Sequence, residues 1–489
     1  MSLNSLLKLN HLKNKKRSSI NFLITIIMKT TGIKLVFFII SMIVFSCNAP
    51  REDANTRDIK VFDMTMEEVV ATMKPYNGPN ASEQVATNPV LGKVMCGYQG
   101  WFRAPGDGSG QGWVHWGRGS GFSPDSCTID YWPDTRELTD EEKYPTSFKH
   151  DDGSTAYVYS AMEKKTVLRH FEWMKENGIH GVFLQRFING TEPPMKLYGY
   201  TKVLENVREG ANSYGRSWAL MYDMSGARNA ERATRLFKAD WKRLVDHMNL
   251  GKDPNDKAYQ HHNGKPLVAI WGLFENREGM PEFYNEIIDF VKNDPVYGGF
   301  SVMIGSENNW REGTGEKYEI LREAVKKADI ISPWTVGRYR SPESAEEFIN
   351  RMHGPDIAWC KEHNIDFLPV IFPGFSWHNL KREPPLDQIP RLQGHFFWRQ
   401  VYENLQQDAK MFYVAMFDEV DEGTAIFKVH PDPPIGNSPF LNYNGLPSDH
   451  YMWLAGKAQE ALHNKLSVEE TPPDRPGVTL NREFIERSK

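Results

Sequence analysis

Cysteine is scarce, with 4 in 489 residues. Apart from Cys47, which belongs to the leader, only Cys96, Cys127 and Cys360 remain. An odd, widely spaced set is no disulfide framework and leaves room for one Cys96–Cys127 bridge at most. None of the three has metal-ligand spacing. Excess positive charge is also missing: the formal net charge is −5, which removes the electrostatic case for nucleic acid. No apolar run reaches the roughly 20 residues of a membrane-spanning helix. Internal repeats and low-complexity tracts are absent. So are the Asp-x-[Asp/Asn]-x-[Asp/Asn]-Gly calcium loop and any His-x-His at the end of the first strand, so neither a metal nor another cofactor is expected.

The N-terminus reads as a leader. Met28-Lys29 opens a basic stretch, an apolar run follows over 35–46, and Val44-Phe45-Ser46-Cys47 resembles a bacterial lipobox. This predicts lipidation at Cys47, an anchor to the membrane, and placement in a bacterial cell envelope, with Met28 as the true start. Residues 1–47 would be the leader and 48–90 a polar linker and arm. Residues 91–466 would be the catalytic body and 467–489 a Pro-containing tail.

Within the body, continuous apolar runs alternate with amphipathic ones. Eight strand candidates stand out: 94–102, 179–187, 218–223, 267–273, 300–307, 330–336, 367–372 and 412–417. Their unbroken apolarity suits parallel strands covered on both faces. Helical patterns lie between and after them, near 167–174, 196–213, 229–248, 283–291, 316–327, 343–363, 395–409 and 450–464. Eight strands, each followed by a helix, predict an α/β protein, a (β/α)8 TIM barrel. The segment 103–160, rich in Gly and Trp, would be a long loop insertion after strand 1.

In such a barrel the functional groups sit at the C-terminal strand ends. There the sequence offers Tyr98, Gln99 and Trp101, then Gln185 and Arg186, then Tyr222 and Asp223. Trp271, Glu307, Trp310, Trp334, Trp377 and His378 follow. The eighth strand delivers Asp418, Glu419, Asp421 and Glu422. Acids in such an apolar setting need a reason, because they are rarely buried without partners. Arg186 and Asp223 could pair with each other, as could Glu307 and Arg311. With 14 Trp, the chain also has aromatics enough to hold sugar rings. Glycoside cleavage needs an acid for the leaving oxygen and a second carboxylate as base or nucleophile. Glu419 and Glu422, three apart, would face one way on a helical turn. Each would push the other's pKa upward, keeping one protonated.

The stretch Phe417-Asp418-Glu419-Val420-Asp421-Glu422-Gly423-Thr424 resembles the strand-eight segment of glycoside hydrolase family 99, whose pattern runs Phe-Asn-Glu-Trp-x-Glu-Gly-Thr. Supporting stretches are 97–102 (GYQGWF), 181–186 (GVFLQR) and 332–337 (SPWTVG). The chain is similar to bacterial proteins grouped with families 71 and 99, of the xylosidase or arabinosidase type. The resemblance covers most of 93–430. It implies metal-free, retaining cleavage of α-mannosides. Glu419 would be the base that helps the sugar's 2-hydroxyl attack the anomeric carbon, giving a 1,2-anhydro sugar. Glu422 would protonate the leaving oxygen and then activate water. Asp418 and Val420 depart from the Asn and Trp of the pattern. They alter substrate contacts and leave the two-carboxylate chemistry in place.

The sequence thus supports a lipid-anchored glycoside hydrolase of polysaccharide or oligosaccharide. Two alternatives stand beside it. One is a non-catalytic surface glycan-binding lipoprotein. The other is a polysaccharide lyase, with Tyr98 or His378 as base and Arg186 neutralising a uronate.

Overall fold

In the computed structural model, the described residues are 63–119, 121–227, 229–273 and 280–480. All lie within one unit, Asp53–Lys489. Cys47, the rest of the leader, the first part of the linker and the last residues of the tail fall outside them.

The eight strands form, in order, as β1 Val94–Tyr98, β2 Gly181–Phe187, β3 Ser217–Asp223, β4 Lys265–Leu273, β5 Ser301–Glu307 and β6 Ile330–Trp334. Then come β7, split into Asp366–Phe367 and Val370–Ile371, and β8 Phe412–Val414. All neighbours pair in parallel. The sheet runs from the first half of β7 through β6, β5, β4, β3, β2, β1 and β8 to the second half of β7. Both ends of that path are one strand, so the sheet closes into a (β/α)8 barrel. The break in β7 falls at Leu368-Pro369, and Pro369 has no N–H to give a ladder; its carbonyl still accepts from Tyr413 N.

The helices are α1 Lys164–Glu176, α2 Pro194–Tyr214, α3 Ala230–Met248, α4 Met280–Asn293, α5 Glu316–Lys327, α6 Pro342–Glu362, α7 His395–Gln406 and α8 His450–Leu462. Their ends follow local chemistry. Pro194 and Pro342 open α2 and α6, the Asn229 side chain caps α3, and α2 stops at Gly215 in the left-handed region. None of the described helices is long and apolar enough to cross a membrane.

Alternation along the strands makes two cores. Met95, Phe183, Ala219, Met221, Leu267, Ala269, Met303 and Tyr413 fill the barrel. Cys96, Val182, Leu184, Trp218, Leu220, Val268, Ile270 and Ile304 face the helices. Cys96 therefore points outward from β1 while Cys127 lies in the insertion. Both are free thiols, as is Cys360, so the Cys96–Cys127 bridge does not form.

The insertion between β1 and α1 has its own aromatic core of Trp116, Phe122, Trp132 and Phe148, plus a hairpin of strands Tyr144–Lys149 and Thr155–Val158. It packs onto the segment after β8. Asp130 N donates to Val420 O, and Asp134 N donates to Lys428 O. That cover is why the acids after β8 are buried.

Candidate active site

A cleft of about 250 Å³ opens at the C-terminal end of the barrel. Inward-facing strand ends and the β8 loop line it. Gln99 follows β1, Gln185 and Phe187 come from β2, and Met221 and Asp223 from β3. Ser225, Trp271, Trp334 and Met416 add to the wall, and Glu419 and Glu422 complete it with Trp101. A larger cavity, about 370 Å³, lies at the other end among Leu91, Asn263, Asn364 and Lys410. In this fold that end serves stability rather than chemistry.

Trp271 reaches the cleft because Gly305 on β5 makes room. A Cβ there would stand 2.1 Å from the indole Cδ1. Trp334 meets Trp271 edge to face, with centroids 5.3 Å apart. Below them Tyr413 rises from β8, and its hydroxyl accepts from Gln185 Nε2 at 3.1 Å.

Glu419 is 4% exposed. Its Oε1 accepts from Gln99 Nε2 and its Oε2 from the Thr424 hydroxyl, each at 2.5 Å. Burial, the charge of Glu422 and the charge of Asp421 push it well above the usual carboxylate range, while the two donors pull it back. Burial and Asp421 push Glu422 up to about 7, partly offset by Lys381. Two interacting acids titrate as a pair, and both members of this pair are shifted upward, which favours a proton held between them. The short contacts to Glu419 have the length of hydrogen bonds to a carboxylate, and donors favour the ionised form. Those donors counter the burial of Glu419 without removing its upward shift.

The turn after β8 is held from several sides. Asp418 is fully buried and accepts from Gln99 N and Gly100 N, both at 2.8 Å. Burial pushes it up to about 7 despite those bonds. Arg391 donates to the carbonyls of Gly423 and Ala425 from a cage of Tyr131, Tyr443 and Tyr451.

Of the residues expected at the mouth, Gln99, Trp101, Gln185, Asp223, Trp271, Trp334, Glu419 and Glu422 share the cleft. Three others, Tyr98, Arg186 and Tyr222, turn away, because alternation puts every second strand residue on the helix side. The Tyr98 hydroxyl meets His170 Nδ1 at 2.9 Å. Arg186 is locked to Asp240 by contacts of 2.6 and 2.8 Å rather than to Asp223, and Tyr222 donates to the same carboxylate at 2.7 Å. Trp310 is buried against Trp359. Asp418 is structural for the reason just given. Trp377 packs on Phe375 beneath Lys381, outside the cleft lining. His378 gives its N–H to Asp130, and its Nδ1–H goes to the carbonyl of Pro384. Glu307 ends β5 outside the lining, and Arg311 pairs with Asp356 and Glu312 instead.

Sequence reasoning missed Phe187, Met221, Ser225 and Met416 in the lining. Phe187 and Met221 were within reach, two positions from Gln185 and Asp223 on the same strand face. It also missed Thr424, and His115, whose Nδ1 lies 2.9 Å from Asp421 Oδ2. Among the described residues the lining carries three carboxylates and no cationic side chain. Also among them, no group of three or more His, Cys, Asp or Glu is placed to hold a metal ion.

No protein-family model matches the chain, and no curated relative does. Solved structures do match. The structure described as the GH99 endo-alpha-mannosidase from Bacteroides thetaiotaomicron is 15% identical, covering 77% of this chain and 99% of its own, with a TM-score of 0.56. A second, of such an enzyme in complex with bis-tris-propane, is 16% identical, covering 77% and 98%, with a TM-score of 0.54. The chain thus has the fold of the GH99 endo-α-mannosidase.

Proposed function

We propose that this protein is a retaining glycoside hydrolase that cleaves a neutral polysaccharide or oligosaccharide between Glu419 and Glu422. The Glu419–Glu422 carboxylate pair at the C-terminal mouth of the barrel carries the reading. Around it stand Trp271 and Trp334, suited to the apolar faces of sugars, and the edge of Trp101. An acidic lining without a cation disfavours uronates and sulfated sugars through like-charge repulsion. The α-mannoside activity named for the structural neighbour makes α-mannan the first substrate to try.

In the proposed reaction Glu419 is the base. It takes the proton of the sugar's 2-hydroxyl as that oxygen attacks the anomeric carbon. Glu422 gives its proton to the departing oxygen, and a 1,2-anhydro sugar results. Glu422, now ionised, takes a proton from water as the water oxygen opens that ring, and the 2-hydroxyl recovers its proton from Glu419. Retention follows from two inversions.

A lyase has little support. Arg186, Tyr98 and His378 are each engaged elsewhere. A glycan-binding protein would not need the acid pair. The leader further suggests a lipoprotein anchored through Cys47 in a bacterial cell envelope. The soluble form, residues 48–489, is to be incubated with α-mannans, xylans, arabinans and algal polysaccharides beside Glu419→Gln and Glu422→Gln. Release of oligosaccharide by the native form alone supports the reading. Cleavage that survives both substitutions refutes the acid assignment, products with a new double bond indicate a lyase, and binding without cleavage favours the glycan-binding alternative.

A further inference from the structure

The insertion reaches back to the acids through one side chain. His115 stacks on Trp101 with centroids 3.7 Å apart and planes 3° from parallel. Trp101 lines the cleft and on its other side approaches Phe187, with centroids 5.3 Å apart. His115 Nδ1 lies 2.9 Å from Oδ2 of Asp421, whose own side chain is 3% exposed. The backbone at His115 has φ +61°, a conformation an L residue adopts at a cost of about 1 kcal/mol or more. The Thr128 hydroxyl ties the His115 carbonyl at 2.6 Å. The imidazole is therefore fixed in plane, in position and in its bonding.

We propose that His115 is a sugar-binding residue of the cleft rim, with Nε2 held in place to hydrogen-bond a hydroxyl of a neutral glycan. This rests on the glycosidase reading. A carboxylate only accepts, so the Asp421 contact requires the proton on Nδ1. Nε2 is then left for another partner. No described protein group takes that nitrogen, and the side chain is 35% exposed. A glycan longer than the cleft leaves it over a wall. Both faces of Trp101 are covered, so the Trp101–His115 wall offers a sugar its ring edges and the His115 Nε2.

The test combines chemical modification with binding. Diethyl pyrocarbonate reacts with an unprotonated imidazole nitrogen, and peptide mass spectrometry locates the adduct. His115 of the free protein is expected to react. α-Linked mannotetraose bound to the Glu422→Gln variant, which holds it uncleaved, is expected to slow that reaction at least about fivefold. His115→Phe keeps a ring on Trp101 and removes the Nε2 hydrogen bond. It should weaken tetraose binding about 3- to 10-fold, the range for one hydrogen bond, read on the folded fraction because the buried Asp421 carboxylate also loses its partner and the melting temperature should fall. An inert His115, equal modification with and without bound sugar, or unchanged affinity in His115→Phe overturns the subsite alone. Failure of the native protein to bind mannotetraose and neutral xylan and arabinan oligosaccharides alike overturns the subsite together with the functional reading.

Discussion

Thr424→Val removes one hydroxyl hydrogen from the site and leaves the side chain nearly the same shape. Thr424 is fully buried, and its hydroxyl donates to Glu419 Oε2 at 2.5 Å. A hydrogen bond to a charged group contributes about 1.5–3 kcal/mol. In the Thr424→Val variant the Glu419 carboxylate keeps only Gln99 as donor, so its ionised form loses that support. One pKa unit corresponds to about 1.4 kcal/mol, so the base should titrate about 1–2 units higher. The sign follows from the role. A base must be ionised to act, so the acid limb of the rate profile moves to higher pH. At a pH inside the shifted limb, kcat should fall about 10- to 100-fold and partly recover as pH rises. The assay is the rate of oligosaccharide release across pH, with thermal melting as a check on the fold. An acid limb that stays in place while the fold holds would refute the assignment of Glu419 as the ionised partner.

Three further substitutions separate the site from its frame. Gly305→Ala puts a methyl group 2.1 Å from the Trp271 indole in the present position, so the indole must leave its seat; overpacking should cost about 1–3 kcal/mol in denaturant melts, and substrate KM should rise more than kcat falls. Arg186→Met leaves the buried Asp240 carboxylate with only Arg243 and Tyr222 as partners, a loss of about 1.5–3 kcal/mol; denaturant titration should show it, while KM of the folded fraction stays unchanged. Cys47→Ala should move the full-length protein from the membrane to the soluble fraction and abolish incorporation of labelled fatty acid, read by fractionation and autoradiography.

Much of this barrel is written in the apolar runs. The strand from Gly181 to Phe187 and the helix from Glu316 to Lys327 match their predicted positions closely, because continuous apolarity and a 3.6-residue period are strong local signals. β7 is shorter than its apolar run from 367 to 372 because Pro369 interrupts the ladder. The mouth was legible only in part. Strand ends were read as whole runs, yet Gln185 and Asp223 face the cleft while Arg186 and Tyr222, one position away, face the helices. The period of two was in the sequence and would have sorted them. Other features depend on long-range packing. His115 meets Asp421 across 306 positions of chain, and Asp130 ties the insertion to His378 across 248. Residue types alone do not specify such contacts.

The central claim is that Glu422 gives a proton to the leaving group and Glu419 takes one from the sugar. A glycosyl fluoride made from the oligosaccharide that the native protein cleaves tests it most directly, because fluoride departs without protonation. Glu422→Gln should be nearly inactive on the natural glycan yet process the fluoride at a rate within about tenfold of native, while Glu419→Gln should be inactive on both. Loss of fluoride release in Glu422→Gln, or its survival in Glu419→Gln, would contradict the account.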